Sequence, residues 1–118
     1  MSLSDRLDEL RQGVPGCTLV SFGELSTGLA LRTSASKPYK HEYLEEILQQ
    51  ASLNFSLSDF MSAGNNLVVV ATPDEVRIFV RSNEENTDII CCVCQSASEV
   101  PQVVQSAQQI LTEMSRAA

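Results

Sequence analysis

The stretch that decides the fold reads Leu67-Val68-Val69-Val70-Ala71-Thr72-Pro73-Asp74-Glu75-Val76-Arg77-Ile78-Phe79-Val80-Arg81. Two runs rich in β-branched residues flank a polar turn in which the fixed φ of Pro73 favours chain reversal. The first run, Leu67 to Ala71, is almost wholly apolar and is expected to be covered on both faces. The second, Val76 to Arg81, alternates imperfectly and reads as the return strand. A polar loop from Ser82 to Asp88 then leads to Ile89-Ile90-Cys91-Cys92-Val93-Cys94, a short buried strand.

Downstream the period changes. Ser96-x-x-Glu99 is a capping box, and Pro101 falls in the first turn, where its missing amide is tolerated. Val100, Val103, Val104, Ala107, Ile110, Leu111 and Met114 form a continuous helical stripe. Upstream, Tyr39 to Asn54 is also helical: Tyr43, Leu44, Ile47, Leu48 and Ala51 share one side, with Glu42, Glu45, Glu46, Gln49 and Gln50 opposite. Leu53, Phe55, Leu57 and Phe60 extend the apolar content into a less regular connection that ends at Ala63-Gly64-Asn65-Asn66.

Before that helix, Cys17 to Phe22 and Leu29 to Thr33 read as a strand pair joined across the polar break Gly23 to Gly28. The chain opens with a helix over Ser2 to Gln12, its Leu3, Leu7 and Leu10 on one face, capped by Ser2 or Ser4 and stopped by Gly13, Pro15 and Gly16. The order is α-β-β-α-β-β-β-α. It predicts an α+β fold with a five-stranded, mainly antiparallel sheet flanked by helices, as a single domain over residues 1–118.

Composition agrees with a globular chain. At 43% hydrophobic and 19% charged, the 118 residues can bury one ordinary core. With four Phe, two Tyr and no Trp, that core must be built from aliphatic residues. The longest apolar runs are too short to cross a bilayer, and the polar opening Met1 to Arg6 has no signal pattern, so a cytoplasmic location is expected. A net charge of −7 with eight scattered basic residues disfavours nucleic acid and anionic membranes as partners.

Nothing in the sequence assembles an active site. The one histidine, His41, sits at the polar start of the second helix, where a solvated role is expected. The sequence has no G-x-S-x-G elbow, H-E-x-x-H pair or phosphate loop. Glu45-Glu46 and Glu84-Glu85 are adjacent pairs that point apart. Cys91, Cys92 and Cys94 with the remote Cys17 lack metal-ligand spacing, and on a strand Cys92 and Cys94 share a face opposite Cys91. They are expected to pack as small buried apolar groups. Redox reactivity is not expected, since it requires exposure and a positive neighbour. No catalytic residue, metal site or cofactor is expected.

The order of elements resembles the roadblock/LC7 family, which has a profilin-like fold. Gly64-Asn65-Asn66-Leu67-Val68-Val69-Val70-Ala71-Thr72 is similar to that family's small loop and valine-rich third strand. Glu75 to Val80 is similar to its fourth strand, and Ile89 to Cys94 to the fifth, which precedes the last helix. The resemblance spans essentially the whole chain and rests on hydrophobic patterns. It departs in the first hairpin, where Gly23 to Gly28 is longer and lacks the Asp-Gly pair common in the family.

The resemblance implies a non-enzymatic, dimeric scaffold or regulator of a small Ras-like GTPase or of a signalling or motor complex. It places the third strand at the sheet edge, where an uncharged apolar strand left bare is an aggregation hazard. Pairing with the same strand of a second copy would use Leu67, Val68, Val69 and Val70, and the second helix would cross the same two-fold axis through Leu44, Ile47, Leu48 and Ala51. The alternative is that these helix residues face the core of a monomer. Among other classes, a type III secretion chaperone binding an extended effector segment is the main competitor, but it usually has three strands before the middle helix. A PAS- or GAF-like sensor would need a pocket richer in aromatics.

Overall fold

From Ile89 to Cys94, every residue of the last strand is buried, because that strand runs through the middle of the sheet with helices on both sides. The computed structural model describes residues 2–61, 66–82, 87–96 and 99–117. The elements are α1 (Leu3–Gly13), β1 (Cys17–Glu24), β2 (Leu29–Ala35), α2 (His41–Phe60), β3 (Leu67–Ala71), β4 (Val76–Arg81), β5 (Asp88–Cys94) and α3 (Val100–Ala117). The strands are ordered β2-β1-β5-β4-β3, and each neighbouring pair is antiparallel.

The two-residue period of the strands divides the core into two layers. Val20, Ile78, Val80, Ile90, Cys92 and Cys94 point to one face, where α1 and α3 cover them with Leu7, Leu10, Val103, Ala107, Ile110 and Leu111. Leu19, Phe79, Ile89, Cys91 and Val93 point to the other, under Ile47, Leu48, Ala51 and Phe55 of α2. The cysteines of β5 therefore divide as the alternation requires.

Ser2 caps α1 by accepting from the Asp5 amide at 3.2 Å, while the Asp5 carboxylate accepts from the Ser2 amide at 3.3 Å. The corresponding box expected at Ser96 and Glu99 spans residues 97–98, outside the described residues, as do most of the Ser82–Asp88 loop and most of Ala63–Asn66.

Two expectations change. α2 does not end at Asn54 but continues to Phe60, because Phe55 keeps the helical period and seals the core at 1% exposure. β3 is not covered on both faces. It is the terminal strand, and its residues alternate between exposed and half-buried.

The first hairpin turns on two glycines. Gly28 adopts φ +70°, a region that L residues with side chains rarely occupy, and its amide donates to the Glu24 carbonyl at 2.9 Å. At Gly23 the β1–β2 register shifts, and a Cβ there would stand 2.7 Å from the Leu29 carbonyl oxygen and 3.0 Å from a Leu48 methyl. The helix and the bulged strand close on the bare backbone. Gly23→Ala should therefore lower the chemical-denaturation stability by about 1–3 kcal/mol through overpacking. An unchanged midpoint would show that the hairpin yields freely.

Candidate interaction surface

Among the described residues, β3 has a partner strand on one side only. Its hydrogen-bonding phase follows from two bonds that flank it: the Arg81 amide donates to the Asn66 carbonyl at 2.8 Å, and the Thr72 amide to the Glu75 carbonyl at 2.9 Å. Antiparallel ladders alternate, so Val68 and Val70 direct their backbone groups at β4, while Leu67, Val69 and Ala71 direct theirs outward. Leu67 and Val69 also leave 38% and 42% of their surface exposed. The edge is thus apolar, uncharged and open to strand addition.

Beside this edge lies the C-terminal half of α2, held down by β4. Arg81 is 5% exposed. Its guanidinium stacks 4.5 Å from the Phe55 ring centroid, donates through both terminal nitrogens to the Asp59 carboxylate at 2.9 and 3.0 Å, and through Nε to Asn66 Oδ1 at 3.1 Å. The side-chain hydrogen bonds from Arg81 hold the Asp59 carboxyl below its ordinary value.

One helical turn's worth of strand away, Arg77 grips the other half of the same helix. It donates to Glu75 at 2.7 Å and Gln50 at 2.9 Å, lies 3.7 Å from Glu46, and stacks on Tyr43. The Tyr43 hydroxyl donates to Glu75 at 2.9 Å. Burial, then that hydrogen bond, push the phenol up to about 12.

With its inner side so anchored, α2 turns Leu53, Leu57 and Phe60 outward, followed by Met61, at exposures of 71%, 55%, 87% and 69%. Their spacing of four, three and one places them on one side of the helix. That spacing is legible in the sequence once the helix extends past Asn54.

The expected interface residues separate accordingly. Ile47, Leu48 and Ala51 are 0–1% exposed and fill the chain's own core, with Leu44 half-buried against the same cluster. That side of α2 is packed against the chain's own sheet. Leu67 and Val69 lie open on one face of β3, and Val68 and Val70 are half-buried beneath α2. His41 lies on the surface, 2.8 Å from Glu45. Among the described residues, no group of three or more His, Cys, Asp or Glu side chains could hold a metal, and no helix is long and apolar enough to cross a membrane.

No family model and no curated protein matches the sequence. Solved structures do match the fold. A roadblock/LC7 domain from Streptomyces avermitilis superposes with a TM-score of 0.77 at 13% identity, covering 99% of this chain and 98% of that one. Myxococcus xanthus MglB gives 0.78 at 8% identity over 98% and 95%. A Schizosaccharomyces pombe profilin gives 0.65 at 11% identity over 99% of each chain. The chain has the roadblock/LC7, profilin-like fold.

Two titrations test the anchoring. Because Asp59 has a depressed folded-state pKa, its contribution is present above the ordinary 3.8 and is lost as pH falls through the folded value. Asp59→Asn should therefore melt below the parent at neutral pH and converge with it under acid. Arg81→Ala, which also removes the stacking on Phe55, should be destabilised by about 2 kcal/mol. For Tyr43 the sign reverses. Its folded pKa is raised, so its stabilising effect is complete below the ordinary 10.0 and disappears as pH rises through about 12. Phenolate absorbance should show one tyrosine titrating near 12, absent in Tyr43→Phe.

Proposed function

We propose that this chain is a non-catalytic scaffold that pairs with a second copy of itself through β3 and offers the joined platform to a protein partner. The observation that carries the reading is the charge-free edge strand, with Val69 42% exposed beside an α2 turn whose Phe60 is 87% exposed. Apolar surface of this kind on an otherwise acidic chain marks an interaction site.

The backbone phase limits how two copies can meet. Outward groups sit at Leu67, Val69 and Ala71, and an antiparallel pair must match outward positions with outward positions. A two-fold axis at Val69 sets Val69 against its counterpart and Leu67 against Ala71 of the second copy. That register forms roughly six hydrogen bonds between the chains and fuses the two sheets. Arg81 holds the end of α2 near Asn66, at the start of this strand, so Leu53, Leu57 and Phe60 approach the same axis and enlarge the buried area.

The partner class is supported by the fold likeness alone: a small Ras-like GTPase, or a signalling or motor complex. The secretion-chaperone reading is less well supported, since only two strands precede the middle helix.

Light scattering coupled to gel filtration tests the pairing. The parent should elute at twice 12.9 kDa. Val69→Lys should weaken the dimer by at least about a hundredfold, because two ammonium groups would face each other across the axis. A monomeric parent, or a variant that still dimerises with unchanged affinity, refutes the β3 interface. Capture from source-cell lysate in parallel with GDP and a GTP analogue then tests the partner. A small GTPase enriched in the GTP-analogue arm supports the regulator reading, and a secreted effector without a GTPase replaces it.

A further inference from the structure

Cys17 and Cys94, far apart in the sequence, are direct partners in the β1–β5 ladder. The Gln95 amide donates to the Gly16 carbonyl at 3.0 Å, which makes Gly16–Gln95 a hydrogen-bonded pair. The next pair along, Cys17–Cys94, is therefore of the non-hydrogen-bonded kind, in which opposed Cα atoms approach to about 4.5 Å and side chains come closest. That separation falls within the Cα range of about 4.4–6.8 Å that a disulfide requires.

A register irregularity makes the two thiols face each other. Thr18 is accommodated between Cys17 and Leu19 as the ladder shifts, its hydroxyl donating to the Val93 carbonyl at 3.3 Å. The extra residue turns Cys17 onto the α1/α3 face that Cys94 already occupies. Without it, Cys17 would share the face of Leu19, under α2.

From this pairing we infer that Cys17 and Cys94 are a reversible oxidation site, closing to an intrachain disulfide when hydrogen peroxide reaches them. Both thiols are free and buried, Cys17 keeping 7% of its surface exposed and Cys94 1%, and a peroxide reaches them past the exposed Gly16 and Gln95 one residue away. Their chemistry is already unequal. Cys17 donates to the Leu19 carbonyl at 3.7 Å, and hydrogen bonding with Cys94, then with that backbone, and the charge of Arg11 of α1 hold the Cys17 thiol below the ordinary 9.0. Hydrogen bonding with Cys17, then burial, push Cys94 up. Cys17 is the nucleophile and Cys94 the resolving thiol. Cys91 lies on the other face, its thiol raised by burial alone.

In the first step the Cys17 sulfur attacks the peroxide oxygen and the O–O bond breaks. Water leaves, and Cys17 becomes a sulfenic acid. Cys94 then attacks that sulfur, the S–O bond breaks, and a second water departs with the Cys94 proton. Two thiols lose two electrons in all, and the peroxide gains them. The bridge would tie the start of β1 to the end of β5, at the root of α3 and away from the β3 edge.

The test is peptide mapping of the folded protein after graded hydrogen peroxide and thiol blocking. The expected product is a Cys17–Cys94 bridge that dithiothreitol reverses, formed at least about tenfold faster than any modification of Cys91. Oxidised parent should also melt above its reduced form. Cys94→Ser should leave a Cys17 sulfenic acid that dimedone traps. A bridge to Cys92, direct passage of Cys17 to the sulfinic acid in the parent, or thiols inert until the protein unfolds would each overturn the assignment. The parent mapping decides even if a variant fails to fold.

Discussion

Among the described residues, three helices cover both faces of a five-stranded sheet, and helix width limits how far they reach. Two helices side by side span about 20 Å, or roughly four strands at 4.8 Å spacing. On the face shared by α1 and α3, that cover hides β1, β4 and β5 and ends before β3, which is why Leu67 and Val69 stay open. The exposed edge follows from the number of helices and their placement. No property of β3 itself would leave it bare.

α2 carries the whole of the other face alone, and its position depends on β4. Arg77 and Arg81 project from that strand to the α2 side and hold the helix at two points along its length. Arg81 is buried, so its charge must be met by Asp59 and the Phe55 ring, and the geometry that meets it fixes where the helix ends. Leu53, Leu57 and Phe60 are kept outward by what Ile47, Leu48, Ala51 and Phe55 do inside. Packing within the chain and the exposed apolar surface are thus two sides of one helix.

The edge and the middle of the sheet differ in chemistry. The β3 edge is aliphatic and uncharged. In the middle of the sheet, the β1–β5 ladder closes on thiols, with a bulge that sets the face on which Cys17 lies. Each feature depends on register, the one on which backbone groups point outward, the other on a single accommodated residue. A one-residue slip would abolish either.

The sequence by itself determined the order and type of all eight elements and the alternation that sends Cys92 and Cys94 one way and Cys91 the other. Periodicity carries that information, because a strand with two buried faces and a helix with one apolar side leave different spacings. The end of α2 lies beyond Asn54, at Phe60, because Phe55 faces the core, which makes the spacing of Leu53 and Leu57 regular. Only the tertiary structure decided that Ile47, Leu48 and Ala51 belong to the interior, that Arg81 pairs with Asp59, and that Cys17 meets Cys94. Those facts depend on which strand lies beside which and on where a bulge falls, and a linear pattern of hydrophobicity records neither.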